Sequence, residues 1–131
     1  MYIVGTMNSA DKSISMIDTA LRRRFDFVEF VPNLSLVSNA ILRNVLKTLN
    51  EGIEDQLKSS DLLIGHSYFI GKTEKDLASI MNRSIVPLLY EYFFDDKNKV
   101  QLQLKKALEG LDYEVVNASM GRLKVVKKAG K

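Results

Sequence analysis

The chain has 131 residues and a net charge of +3, and 46% of its residues are hydrophobic. It contains no cysteine and one histidine, which excludes disulfides, thiolate metal sites and a cysteine nucleophile and disfavours a Ser-His-Asp site. No apolar run approaches the roughly 18 residues of a membrane span, and the first residues lack the basic start of a signal peptide. These features predict a cytoplasmic domain with a core of its own.

The first third of the chain is predicted to be strand–helix–strand. Residues 2–7 form a short apolar run that ends in turn residues, which indicates a buried strand. Apolar residues at helical spacing predict a helix over residues 13–24, and alternation over residues 26–31 predicts a second strand. Because the first strand has no earlier strand to pair with, the pattern suggests a fragment of a larger protein. Pro32 lies at the predicted boundary.

A helical block follows this boundary. Apolar residues recur every four positions over residues 37–57, which predicts a long amphipathic helix weakened at Gly52. Further helices are predicted from a cap at Thr73 to residue 83, from Pro87 to residue 94, and over residues 99–109.

The C-terminal end differs from the rest in charge. Residues 113–116 and 123–126 are predicted to form a β-hairpin. Residues 111–131 carry five basic groups against two acidic ones, whereas basic and acidic groups balance in residues 1–34 and again in residues 35–110. A basic tail of this kind could touch phosphate groups.

One segment nearly matches a phosphate-binding P-loop. Residues 65–73 end in Gly71, Lys72 and Thr73, but five residues separate the two glycines where a P-loop has four. The acidic pair Asp95 and Asp96 after an apolar run likewise imitates a magnesium-binding strand end. We favour a helix cap at Thr73 and a helix end at the acidic pair. A small ATPase that uses Lys72 is the alternative.

Four blocks in order, two in the first third and two in the helical block, resemble the McrB-type branch of AAA+ nucleotidases, the GTP-driven motor subunits of modification-dependent restriction systems. They are Val4-Gly5-Thr6-Met7-Asn8-Ser9-Ala10-Asp11, Asp18-Thr19-Ala20-Leu21-Arg22-Arg23-Arg24-Phe25, Ile64-Gly65-His66-Ser67-Tyr68-Phe69 and Pro87-Leu88-Leu89-Tyr90-Glu91-Tyr92-Phe93-Phe94-Asp95-Asp96. The resemblance implies a mainly α, α+β fold. Residues 1–34 would be the C-terminal part of the AAA+ core, 35–110 the α-helical lid and 111–131 a basic hairpin outside the match.

The resemblance also implies roles for two residues near the N-terminus. Asn8 would be the sensor-1 residue, which orients the attacking water, because an amide can both donate and accept hydrogen bonds. Asp11 would belong to a guanine-reading motif. From the residues alone, Asn8 is equally a turn asparagine and Asp11 an N-cap.

The three arginines that end the first predicted helix would supply arginine fingers to a neighbouring subunit, with Arg23 first, then Arg24, then Arg22. A permanently charged guanidinium suits the charge that develops on a transferring phosphoryl group. The alternative is three cations favourably placed at a helix C-terminus. His66 would lie near the nucleotide or, alternatively, pack as a hydrogen-bonded core residue. Neither Arg43 nor Arg83 can be assigned as a sensor-2 arginine.

For the full-length protein, the resemblance implies GTP or ATP with Mg²⁺, a homo-oligomeric ring of about six subunits, an McrC-like nuclease partner and DNA, with no membrane. Without a P-loop or a magnesium-binding acidic motif, the chain alone is predicted to hydrolyse nothing. The alternative function is a non-enzymatic module that binds nucleic acid or protein through the basic hairpin.

Overall fold

The computed structural model describes residues 1–6, 19–59 and 62–128. Its regular elements are five α-helices and two strands among these residues: α1 Thr19–Arg24, α2 Ala40–Leu57, α3 Leu77–Ile80, α4 Val86–Tyr92, α5 Lys97–Ala107, β1 Tyr113–Asn117 and β2 Leu123–Lys127. The predicted fold class, mainly helical with a C-terminal hairpin, is confirmed.

The two strands predicted in the first third do not form in the described part of the chain. Residues 2–6 and 26–31 have no regular structure, and their apolar side chains are exposed. A strand is completed by hydrogen bonds to a neighbouring strand, and no described segment pairs with either one. Of the helix predicted over residues 13–24, α1 covers the end, and the residues before Thr19 lie outside the described ranges.

Helix α2 confirms the long amphipathic helix. It starts at Asn39, whose Oδ1 accepts hydrogen bonds from the backbone N–H groups of Ile41 and Leu42 at 3.0 and 3.1 Å, as an N-cap does. Five of its apolar side chains are buried, namely Leu42, Val45, Leu46, Leu49 and Ile53. The short 3₁₀ turn Leu34–Leu36 precedes the helix and leads into the first core residue, Val37.

Residues 74–92 form one helical rod that changes its hydrogen-bonding pattern three times. A 3₁₀ turn, Glu74–Asp76, leads into α3, and a π-helical stretch, Met81–Ile85, joins α3 to α4. Thr73 opens the rod, and its backbone N–H donates to the Asp76 carboxylate at 2.9 Å, which confirms the predicted cap. Because Pro87 has no N–H, the ordinary helical ladder cannot continue through it, and the Val86 N–H bonds to the carbonyl of Met81, five residues earlier. Pro87 therefore starts a helical segment without interrupting the rod.

The acidic pair lies where one helix ends and the next begins: the Asp95 N–H donates to the Tyr90 carbonyl in the last turn of α4 at 2.8 Å, in agreement with the predicted helix end. Helix α4 ends at Tyr92, and Asp96 is the N-cap of α5, since its carboxylate accepts from the N–H groups of Asn98 and Lys99 at 3.1 and 3.2 Å. The connection turns sharply because Phe94 and Asp95 both have positive φ. Helix α5 begins and ends two residues before the predicted limits.

The predicted hairpin is confirmed, and it packs on the helical rod. Strands β1 and β2 are antiparallel, with Val115 opposite Val125. The side-chain amide of Asn82 pairs with the backbone of Val125 in the manner of a neighbouring strand: its Nδ2 donates to the carbonyl at 2.8 Å and its Oδ1 accepts from the N–H at 2.7 Å. The Tyr90 hydroxyl accepts from the Leu123 N–H at 3.2 Å. Tyr113, Leu123 and Val125 thereby join the core of the helices.

Candidate functional site

The arginines proposed as fingers lie at the C-terminal end of α1. The side chains of Arg23 and Arg24 are exposed. Neither forms an ion pair with an acidic residue in the described ranges. Arg22 lies in the same helix. Two exposed guanidinium groups next to each other could reach a separate anionic group, and they are also favourably placed against the negative end of the helix dipole.

Two of the predicted site residues, Asn8 and Asp11, lie outside the described residues.

A hydrogen bond to His66 connects the loop of residues 62–73 with the segment before α2. His66 lies in the 3₁₀ turn His66–Tyr68, is half-buried, and its Nδ1 accepts a hydrogen bond from the backbone N–H of Asn33 at 2.9 Å. Asn33 in turn caps the 3₁₀ turn Leu34–Leu36, as its Oδ1 accepts from the Ser35 N–H at 3.0 Å. This contact agrees with the hydrogen-bonded alternative, and it leaves Nε2 as the ring nitrogen that could meet a ligand.

The two arginines that the sequence left without a role are in different situations. The Arg43 guanidinium binds backbone carbonyls before α2: Nε donates to Val37 at 2.9 Å and Nη2 to Ser38 at 3.2 Å. Arg43 therefore fixes the chain at the entry to the helix. Arg83 is exposed on the π-helical stretch and has no ion-pair partner among the residues described.

In the loop that resembles a P-loop, backbone groups form hydrogen bonds to Asn50 and to one another. Ile64 is held by Asn50, whose Oδ1 accepts from the Ile64 N–H and whose Nδ2 donates to the Ile64 carbonyl at 3.0 Å. The backbone then turns, and the N–H of Lys72 donates to the Phe69 carbonyl at 3.2 Å. The amides of Phe69, Ile70 and Lys72 thus all donate to carbonyls within the loop, whereas a phosphate cradle needs its amides free for the ligand.

The described residues therefore match only in part the groups that would bind GTP and Mg²⁺. The described part of the chain holds no group of three or more His, Cys, Asp or Glu side chains that could bind a metal ion. The concave surface along the C-terminal end of α2 is lined by Glu51, Glu54, Asp55, Lys58 and Ser59, and no predicted site residue is among them.

Three polar residues with structural roles carried little signal in the sequence. Asn50 and Asn82 are asparagines inside helical segments, where this residue is unfavourable, and both pair with backbone groups of another segment. Gln103 on α5 is 2% exposed. Its Oε1 has no hydrogen-bond partner in the described structure and lies against Gly52 of α2. The sequence signal for these three residues is a polar side chain on the apolar face of a predicted helix.

Comparison with known proteins identifies the helical block. Residues 41–101 match the family model described as "McrB, alpha-helical lid domain". The chain carries a McrB-type lid domain. Over 82% of its length it is also 36% identical to the "Type IV methyl-directed restriction enzyme EcoKMcrB subunit" of Escherichia coli (strain K12). The aligned part spans 28% of that protein.

Most of the buried hydrophobic core lies within the matched range. The matched range runs from α2 into α5 and includes the helical rod and the loop around His66. The hairpin follows the matched range. No helix in the described ranges is both long and apolar enough to cross a membrane.

Proposed function

We propose that this chain is the lid-bearing part of a McrB-like AAA+ nucleotidase that powers modification-dependent DNA restriction. The observation that carries the proposal is the lid match over residues 41–101, together with 36% identity to the E. coli subunit. GTP, or alternatively ATP, with Mg²⁺ is the proposed substrate of the full-length protein. DNA and an McrC-like nuclease subunit are its proposed partners.

The proposed contribution of residues 1–34 is to complete a nucleotide site. Arg23 is the first candidate for an arginine finger that reaches the nucleotide of a neighbouring subunit in a homo-oligomeric ring, followed by Arg24 and Arg22. Exposure of Arg23 and Arg24, with no described carboxylate bound to either, supports this role. Asn8 is the proposed sensor-1 residue. Asp11 and His66 are the proposed nucleotide contacts, of which His66 has only Nε2 available.

Residues 1–34, 35–110 and 111–131 are proposed as the core part, the lid and the hairpin. The chain alone is expected to bind nucleotide poorly and to hydrolyse none, because the described residues form no phosphate cradle and no metal-binding acidic group. Incubation of the chain with GTP and Mg²⁺ tests this. Turnover above background that disappears in Arg23→Ala would contradict the proposal.

A chimera tests the positive part of the proposal. In the E. coli subunit, the aligned stretch is replaced by this chain, and GTP hydrolysis is measured. We expect hydrolysis with the natural sequence and a loss of about 10³-fold or more in Arg23→Ala, as for other arginine fingers. Arg83→Ala, which removes another exposed guanidinium, from the lid, is the matched control and should retain activity. A folded chimera that is inactive, or equal losses in both variants, would overturn the assignment.

A further inference from the structure

The tip of the hairpin presents an apolar side chain and two cations in a fixed arrangement. We define the hairpin tip as residues 117–124, which include the turn Ser119–Gly121. The turn is closed by a hydrogen bond from the Ala118 N–H to the Arg122 carbonyl at 2.7 Å. Met120 lies at its apex, 98% exposed and with φ of 64°. A methionine that is exposed in left-handed backbone costs free energy without any packing in return.

Two cations next to this apex, Arg122 and Lys124, are not neutralised by any described carboxylate, and Arg122 is held against an aromatic ring. The guanidinium carbon of Arg122 lies 5.5 Å from the centroid of the Tyr90 ring, a cation–π distance. Lys124 is exposed because the residues on either side of it, Leu123 and Val125, are buried. Within the described ranges, neither cation has a carboxylate within ion-pair distance.

The acidic groups of the hairpin lie away from its apex. Glu114 is opposite Val126, and Asp112 precedes β1, where its carbonyl accepts from the Lys128 N–H at 2.8 Å. Lys124, in contrast, is opposite Val116. The hairpin is therefore polarised, with carboxylates toward its base and uncompensated positive charge at the hairpin tip.

The hairpin cannot swing freely on the lid. Asn82 fixes the backbone of Val125 with two hydrogen bonds, and Tyr90 fixes Leu123. The Tyr113 hydroxyl donates to the Glu74 carbonyl at 2.8 Å and anchors the other strand. A charged group that is already positioned loses less conformational entropy when it binds.

We propose that the hairpin tip is a docking surface for duplex DNA, with Arg122 and Lys124 on backbone phosphates and Met120 against the sugars or base edges. Charge complementarity selects the partner, since the positive excess of the chain is concentrated in residues 111–131. A two-stranded β-ribbon has a width that the major groove admits, and an apolar side chain such as Met120 can contact the thymine methyl groups on the base edges there. The surface does not depend on the proposed nucleotidase activity.

Fluorescence anisotropy with a labelled duplex of random sequence tests the proposal, using the full chain without nucleotide. Binding is measured from about 50 mM salt upward, because each phosphate contact adds about 0.9 to the slope of log K against log salt. The double variant Arg122→Ala, Lys124→Ala is expected to lower that slope by about 1.8. Met120→Ala is expected to weaken binding at an unchanged slope, since it removes no charge.

A charge-matched control separates the hairpin tip from general electrostatic attraction. Lys99→Ala, Lys105→Ala removes two exposed lysines of α5 that form no ion pair in the described structure, and it should keep the slope of the natural chain. The substituted side chains are exposed, and circular dichroism verifies that each variant folds. Absence of DNA binding at about 50 mM salt, or equal slope changes in the two double variants, would overturn the proposal. Stronger binding to an acidic peptide than to the duplex would also overturn it.

Discussion

Residues 1–36 and residues 37–128 contain similar proportions of apolar residues, but the two regions differ in whether those side chains are buried. In the described part of the first region the apolar side chains are largely exposed: Ile3 is 69% and Phe30 92% exposed. In the second region, Ile53 and Phe69 are fully buried. The difference lies in hydrogen bonding, because a helix satisfies its backbone within one segment, whereas a strand needs a second segment beside it. Apolar sequence alone therefore predicts burial only where the partner is also present.

The largest difference in the free energy of unfolding should appear when an isoleucine is replaced by alanine in one region and, in a separate variant, in the other. Ile53→Ala leaves a cavity in the core and should lower the free energy of unfolding by about 2–5 kcal/mol, whereas Ile3→Ala should change it by less than about 0.5 kcal/mol. Urea denaturation of both variants measures the difference. Equal destabilisation would mean that the first region packs against the rest of the chain in solution.

A smaller effect is expected from adding a methyl group to a glycine in each region. A Cβ at Gly52 would overlap with Oε1 of Gln103, while a Cβ at Gly5 meets no atom within 4 Å. Gly52→Ala should therefore destabilise the chain by about 1–3 kcal/mol, and Gly5→Ala should leave thermal unfolding unchanged.

The cause of the Gly52 effect can be isolated with a double-mutant cycle. In a Gln103→Ala background the overlap is removed, and Gly52→Ala should stabilise α2 by about 0.5–1 kcal/mol because alanine is the better helix former. A cycle without coupling would show that the Gln103 side chain is not what requires a glycine at this position.

The smallest effect concerns a single hydroxyl group. Tyr113→Phe removes the donor to the Glu74 carbonyl and should cost about 1 kcal/mol at neutral pH. Tyr2→Phe, at a fully exposed position, should cost nothing. Chemical denaturation at pH 7 compares the two variants.

The same variant also tests a pH dependence. Burial, with smaller effects of the Glu74 and Asp112 carboxylates, raises the pKa of Tyr113 above its ordinary value of 10.0. Between the ordinary and the raised pKa, the unfolded chain loses the phenol proton first, so stability is retained below about pH 10 and falls above it. Tyr113→Phe should lose stability less steeply than the natural chain in that alkaline range. If the stability of the variant and of the natural chain fell equally with pH, the raised pKa assigned to Tyr113 would be contradicted.

Much of the candidate site could be proposed from the sequence, but the hydrogen bonds that join its residues to distant segments could not. Apolar period and cap residues were enough to predict α2, the Thr73 cap and the hairpin, because these depend on neighbouring residues. The bond between His66 and Asn33 joins residues 33 positions apart, and that between Asn82 and Val125 joins residues 43 apart. Local spacing contains no information about such pairs.

The sequence by itself determined the helical block, the hairpin, the uneven charge and the resemblance to McrB-type lids, since each follows from local pattern. Only the tertiary structure decided that the hairpin is fixed to the helical rod by Asn82 and Tyr90. It also decided that the segments predicted as strands have no described partner. The physical reason is the same in both cases: these features depend on hydrogen bonds and packing between backbone segments whose meeting is set by the fold.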